Sequence, residues 1–164
     1  MRTPMFATER LRMNSWVEED APDFYVLSND EGFNLYPINV YRQADVEGAK
    51  EWIKNAKGKF SVRVKDTNDL IGMGGLTPWT WEGEALIDIT YRLRTSAWGK
   101  GYGPELAEGL VRYGFDVLQL DQITATITPD NLPSKKIAEK LGLKFDKRIL
   151  LQNVPTDLYR LYRA

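Results

Sequence analysis

The residues whose types and spacing could do chemistry lie in one run, Trp98-Gly99-Lys100-Gly101-Tyr102-Gly103-Pro104. Before it, Ile87, Ile89, Tyr91 and Leu93 alternate with Asp88, Thr90 and Arg92, the period of a strand. After it, Leu106, Leu110, Tyr113 and Val117 recur at helical spacing. The glycines let the main chain turn tightly and bring bare N–H groups up to a ligand. At a helix start, the aligned peptide dipoles add about half a positive charge to those donors. Pro104 suits the first helical turn, where its missing N–H would have no partner. The run therefore reads either as a cradle for a pyrophosphate, with Lys100 adding a screened charge, or as a plain tight turn. Two nucleotide patterns fail on detail. A P-loop needs G-x-x-x-x-G-K-S/T, whereas Lys100 lies between glycines with no Ser or Thr after it; a dinucleotide fingerprint needs a glycine further on.

Composition removes other chemistry. The 164 residues include no Cys, so there is no disulfide, thiolate metal site or cysteine nucleophile. They include no His, which excludes a Ser-His-Asp triad, an imidazole base and a His-ligated metal; no metal is expected. Proton transfer must run on carboxylates, Tyr, Lys, hydroxyls or water. A net charge of -1 argues against a nucleic-acid partner. The start has no apolar leader and no apolar run approaches about 20 residues, so a cytoplasmic protein without a membrane partner is expected.

These residues need a frame to position them. An extended segment is expected from Thr8 to Ser15, then a helix starting at Glu18-Glu19-Asp20 with Pro22 in its first turn. A loop with Gly32 and Pro37 precedes a helix over Ala44 to Ala56. Strands follow around Phe60 to Val64, Leu70 to Leu76 and Ile87 to Leu93, then the long helix from Pro104. Ile123 to Ile127 is a further strand, Pro133 to Leu141 a short helix, and Lys144 to Val154 and Leu158 to Tyr162 the last strands. Gly72-Met73-Gly74-Gly75 sits inside a strand and reads as a bulge or a close backbone contact. Without a repeat or a linker-like shift, residues 1–164 read as one domain. It is an α/β or α+β fold with a mixed sheet and helices on its faces.

Trp98-Gly99-Lys100-Gly101-Tyr102-Gly103 resembles the acetyl-CoA signature Q/R-x-x-G-x-G/A of the GNAT superfamily of N-acetyltransferases. Trp98 stands in the Q/R slot. That departure is shared by the branch similar to ribosomal-protein N-terminal acetyltransferases, whose W-G-K-G-Y-A/G-x-E is completed here by Glu105. Asp88 to Leu93 is similar to the family's E-I-G-Y-x-L. Asn131-Leu132-Pro133-Ser134 with Glu139-Lys140-Leu141-Gly142 matches N-x-x-S and E-K-L-G, and Thr8-Glu9-Arg10-Leu11 fits a T-E-R-L opening.

The resemblance implies a mostly antiparallel sheet with two splayed parallel strands at its centre, and acetyl-CoA as co-substrate. It implies a cofactor site at Leu93, Arg94, Trp98, Gly99, Lys100, Gly101, Tyr102, Gly103, Pro104, Asn131 and Ser134. The reaction implied is attack of an amine on the thioester, with a main-chain N–H of the strand ending at Leu93 as oxyanion donor. Many members protonate the leaving thiolate with a last-helix Tyr, but that position is Ala138; the ribosomal-protein branch has a Ser where Ser134 stands. Ser134 is thus the expected acid, or else a helix-capping residue.

Asp88 occupies the family's Glu position and is the candidate base, with Glu82 and Glu84 nearby, or else a solvated carboxylate or a partner for Arg92. A lysine amine of pKa about 10.4 costs about 4.6 kcal/mol to neutralise at pH 7, an α-amine of pKa about 8 only about 1.4 kcal/mol, so a base matters less for the second. Aromatic segments Glu31 to Tyr41 and Trp79 to Glu82 are expected as loops, walling the acceptor site or packing in the core. Lys54, Lys57, Lys59, Arg63 and Lys65 read as a solvated face. The acceptor is a protein N-terminus or a small amine, and the chain a monomer or homodimer. The other reading is an acyl-CoA-binding sensor or interaction module without turnover.

Overall fold

Side-chain alternation along the strands decides the architecture, because it gives the sheet two apolar faces that both need covering. The computed structural model describes residues 2–36 and 41–164. Within them the chain runs β1 (Pro4–Ala7), β2 (Leu11–Asn14), α1 (Ala21–Ser28), α2 (Val46–Lys54), β3 (Lys59–Val64), β4 (Leu70–Trp81) and β5 (Glu84–Leu93). It continues as α3 (Tyr102–Arg112), β6 (Gln122–Ile127), α4 (Leu132–Lys140), β7 (Lys144–Leu151) and β8 (Val154–Tyr162). Among the described residues the strands form one sheet in the order β1-β2-β3-β4-β5-β6-β8-β7. Its pairs are antiparallel except β5 with β6. No helix among the described residues is long and apolar enough to cross a membrane.

One core holds Ile89, Leu93, Ile123, Ala125 and Ile127 with Leu106 and Leu110 of α3 and Ala138 of α4. The other holds Leu70 and Met73 with Phe24 and Leu27 of α1 and Ala49 and Ile53 of α2. Each fully buried Leu or Phe contributes about 1.5–3 kcal/mol. The faces are distinct, and β5 presents Ile89 and Leu93 to α3 while Asp88 and Arg92 point to the α1/α2 side.

Several boundaries differ from those the sequence predicts. The opening segment is two strands, β1 and β2, with Thr8 N donating to Leu11 O in the turn between them. Helix α2 starts at Val46 because the Asp45 side chain accepts from Gly48 N at 2.7 Å and caps it. Trp79, Thr80 and Trp81 are strand, not loop: Glu82 and Gly83, at φ 47° and 81°, turn β4 directly into β5. Gln152 and Asn153, at φ 51° and 63°, likewise divide the penultimate strand and start β8 at Val154. In the Gly72 to Gly75 run, a Cβ on Gly72 would lie 2.3 Å from the Arg92 carbonyl oxygen, so close backbone approach accounts for that glycine. Arg63 is not on a solvated face. It is buried, with Nη2 3.0 Å from Asp20 Oδ1 and 3.0 Å from Asp23 Oδ2.

Candidate functional site

Helix α3 opens at Tyr102, two residues before Pro104, directly after Gly101, whose left-handed φ of 82° a glycine adopts without steric cost. Gly99 also has positive φ, 74°. The first helical bond is Glu105 N to Gly101 O, so the Tyr102 and Gly103 amides precede any intrahelical acceptor. A clamp from the N-terminal segment holds this loop. Glu105 accepts from Thr8 Oγ1 at 2.5 Å, Arg10 N at 2.9 Å and Arg10 Nε at 2.7 Å. Arg10 Nη1 also donates to Lys100 O, and its guanidinium lies 4.4 Å above the Tyr102 ring. The hydrogen bonds from Thr8 and Arg10 hold the Glu105 carboxyl below the usual range although partial burial opposes them.

Beyond this loop β5 and β6 diverge. Their pairing register holds one pair, Asp88 with Thr124. Arg94 N donates to Ile71 O on β4, so by alternation the main-chain groups of Ile89, Tyr91 and Leu93 face the opening towards β6. A cavity of about 570 Å³ occupies that opening and reaches the glycine loop. Leu93, Trp98, Gly99, Gly101, Tyr102, Gly103, Pro104, Asn131 and Ser134 line it, as does Asp88. Trp98 Nε1 donates to Leu93 O at 3.1 Å and pins the end of β5 to the loop. Among the described residues, Thr128 Oγ1, buried at the cavity, has no hydrogen-bond partner. Arg94 and Lys100 lie outside the lining. Both main-chain groups of Arg94 are engaged, its N–H by Ile71 and its carbonyl by Ala97 N, while Lys100 is exposed.

At the base of the opening Asp88 faces the threonines of β6. Its Oδ1 is 3.1 Å from Thr124 Oγ1 and its Oδ2 2.9 Å from Thr126 Oγ1. Burial pushes its pKa up to about 7, against the opposing effects of both threonines and Lys59. Thr124 Oγ1 also accepts from Trp79 Nε1 and lies 3.1 Å from Ile87 O. One hydroxyl proton cannot serve two acceptors. With Asp88 ionised, Thr124 donates to it; with Asp88 protonated, the carboxyl donates to Thr124, whose proton goes to Ile87 O. The network is satisfied in both states, as suits a group that titrates near neutrality.

On the α4 side, Asn131 caps the helix by accepting from Ser134 N at 3.2 Å. The Ser134 hydroxyl is therefore not the cap. It donates to Tyr91 Oη at 2.9 Å, and Tyr91 Oη donates to Ser134 O at 3.1 Å. Burial pushes the Tyr91 phenol up to about 12, so it keeps its proton at neutral pH.

Phe33, Tyr36 and Tyr41 close the α1/α2 side of the cavity, while residues 37–40 of the expected aromatic wall lie outside the described residues. Arg92 Nη1 donates to Phe33 O, and its guanidinium is 5.1 Å from the Tyr41 ring and 5.7 Å from that of Phe33. Asp30 Oδ2 accepts from Thr95 N, Thr95 Oγ1 and Phe33 N, tying this wall to the end of β5. Trp79 stands behind the Asp88 network rather than in the wall. Glu84 is paired with Arg160 and Glu82 sits at a hairpin tip, so neither carboxylate lines the cavity.

Sequence reading missed Tyr91, Thr124, Thr126 and Thr128 as members of the site. Alternation puts the three threonines on one face, but only the pairing of β5 with β6 brings that face to Asp88.

The acetyltransferase (GNAT) domain family matches residues 10–144. The chain is 30% identical over 162 residues to "Uncharacterized protein YkkB" of Bacillus subtilis (strain 168), covering 93% of this chain and 92% of that one. It is 33% identical over 154 residues to "Uncharacterized N-acetyltransferase p20" of Bacillus licheniformis, covering 89% of this chain and 84% of the relative. Its fold is similar to the solved structure of RimL, a ribosomal L7/L12 alpha-N-protein acetyltransferase in complex with coenzyme A. The TM-score is 0.77 at 13% identity, over 97% of each chain.

Proposed function

The chain belongs to the GNAT acetyltransferase family, and on that premise we propose that it transfers an acetyl group from acetyl-CoA to a primary amine by direct attack on the thioester. The opening between β5 and β6, continuous with the glycine loop, carries this reading. Three features fit coenzyme A: the glycine-loop amides, the opening-facing main chain of β5, and the Thr128 hydroxyl at the cavity, unpartnered among the described residues. When bound, acetyl-CoA would supply an activated acetyl group.

The amides from Gly99 to Gly103 take the pyrophosphate, as anion donors at a helix N-terminus do. The Ile89 carbonyl, the Tyr91 main chain and the Leu93 N–H offer the pantetheine amides a strand edge, and the N–H of Tyr91 or Leu93 stabilises the developing oxyanion. Asp88 takes the proton of the attacking nitrogen, directly or through water; a carboxyl titrating near 7 holds a proton and releases it at neutral pH. Ser134, which lines the cavity, would donate a hydrogen bond to the departing sulfur.

The acceptor approaches past Phe33, Tyr36 and Tyr41, so an amine carrying an apolar portion suits the entrance, such as a protein N-terminus or a small organic amine. Residues 1–164 act together as one acetyltransferase domain.

The test combines calorimetry with coenzyme A and thiol release from acetyl-CoA. The acceptor panel consists of peptides with a free N-terminal Ala or Ser, and small primary amines. Binding with amine-dependent thiol release is expected, and Ser134→Ala lowers turnover while retaining binding. Binding without release for any amine would instead support a sensor module, and no binding would overturn both readings.

A further inference from the structure

Ser134 as sole acid faces a chemical difficulty. An aliphatic alcohol is a far weaker acid than a thiol of pKa about 8.5. Were Ser134 to protonate a thiolate alone, it would be left as an alkoxide inside the protein. The neighbouring phenol lessens it: even with burial raising Tyr91 to about 12, a phenolate is a far weaker base than an alkoxide. Tyr91 enters from β5, opposite α4, and its oxygen is the acceptor of the Ser134 hydroxyl at 2.9 Å. In the resting arrangement the Tyr91 proton is directed at the Ser134 carbonyl, 3.1 Å away. Both Ser134 oxygens are thus within reach of the phenol, and a change of hydroxyl rotamer redirects its proton from one to the other.

We propose that Tyr91 is a positioning residue that feeds its proton through Ser134 to the departing sulfur, doing from a strand what Ala138 on α4 cannot. The proposal rests on the acetyltransferase reading above. As the C–S bond breaks, the Ser134 O–H proton passes to sulfur and forms the thiol. The Tyr91 O–H proton passes to Ser134 Oγ and restores the hydroxyl. The tyrosinate then takes a proton from water, while the proton lost by the amine leaves through Asp88. Ser134 ends as it began. A phenol is protonated at neutral pH, and the pair lines the cavity between β5 and β6.

The experiment compares Tyr91→Phe, which keeps the ring and its packing, with the unaltered chain. The assay uses the most active amine of the panel and two acetyl donors, acetyl-CoA and the S-acetyl thioester of 4-nitrothiophenol, whose thiolate leaves without a proton. With acetyl-CoA, kcat is expected to fall by roughly 100-fold, the low end for a lost acid, with KM for acetyl-CoA changed less than about threefold. With the nitrothiophenyl ester the deficit should shrink at least about tenfold, which loss of packing would not produce. An independent readout uses the free protein labelled at tyrosine Cζ. The resonance that Tyr91→Phe removes should shift in Ser134→Ala, and again when coenzyme A is added to the unaltered chain.

Undiminished kcat in Tyr91→Phe, an equal deficit with both donors, or a Cζ resonance indifferent to Ser134 overturns the relay. If the unaltered chain itself released no thiol from acetyl-CoA, the acetyltransferase reading would fail first and take the relay with it.

Discussion

Arg10 Nε lies 2.7 Å from Glu105 Oε1, joining a turn near the start of the chain to the first turn of α3 across 95 residues of sequence. The same carboxylate takes the Arg10 amide and the Thr8 hydroxyl, so one acidic side chain orders both the β1–β2 turn and the glycine loop. The T-E-R-L segment and the glutamate after W-G-K-G-Y are two halves of one clamp. Glu105→Ala is expected to weaken coenzyme A binding roughly tenfold, about 1.4 kcal/mol, by releasing the loop rather than by removing a ligand contact. Calorimetry measures it, and an unchanged dissociation constant would show that the loop holds its shape without the clamp.

Gly101 and Gly99 share positive φ but differ in surroundings. A Cβ at 101 would lie 3.2 Å from Arg10 Nη2, whereas one at 99 meets nothing within 4 Å. Alanine at either position carries the left-handed cost of about 1–2 kcal/mol, and at 101 it also presses on the clamp. Gly101→Ala should therefore lose more affinity for coenzyme A than Gly99→Ala, both with unchanged circular dichroism. Equal losses would mean that backbone strain alone decides.

Asp88 makes a pH prediction with a definite sign. Burial raises its pKa from an ordinary 3.8 to about 7, so across that interval the folded chain holds a proton that the unfolded chain has released. Its contribution to stability is fully present below the ordinary value and is lost as pH rises towards 7, at up to about 1.4 kcal/mol per pH unit. Denaturant titrations at a series of pH values should show this decline in the unaltered protein and a shallower one in Asp88→Asn. In turnover the sign is opposite: kcat/KM should rise with pH through about 7 as the carboxylate forms, and lose that limb in the variant. Parallel stability profiles for the two proteins would contradict the assignment.

Arg94 and Lys100 test whether the cavity lining, rather than the run of sequence around it, defines the cofactor site. Arg94 lies outside the lining, and its Nη1 donates to Leu70 O at 3.4 Å, so Arg94→Met should leave coenzyme A affinity within about twofold while lowering thermal stability. Lys100 is exposed, so Lys100→Ala should cost less than about threefold at physiological salt and more at low salt, where screening weakens. A tenfold loss in either variant at physiological salt would place a phosphate contact beyond the cavity.

The period-two and helical patterns, the glycine loop and the proline after it are local properties, and they determined which segments are strands, which are helices and where an anion cradle would sit. Asp88 and Ser134 could be singled out because the residues around them form recognisable short patterns. Which residues would complete the site could not be read that way, since spatial neighbours here are far apart in sequence. Tyr91 meets Ser134, and Thr124 and Thr126 meet Asp88, only because β5 and β6 lie side by side and then diverge. Trp79 lies in a strand, not a loop, because the Glu82-Gly83 turn extends β4, and Arg63 is buried, not a surface charge, because it meets Asp20 and Asp23, about 40 residues earlier. Local sequence encodes dihedral preference and amphipathic period; burial, which raises the pKa of both Asp88 and Tyr91, is imposed by the packed whole.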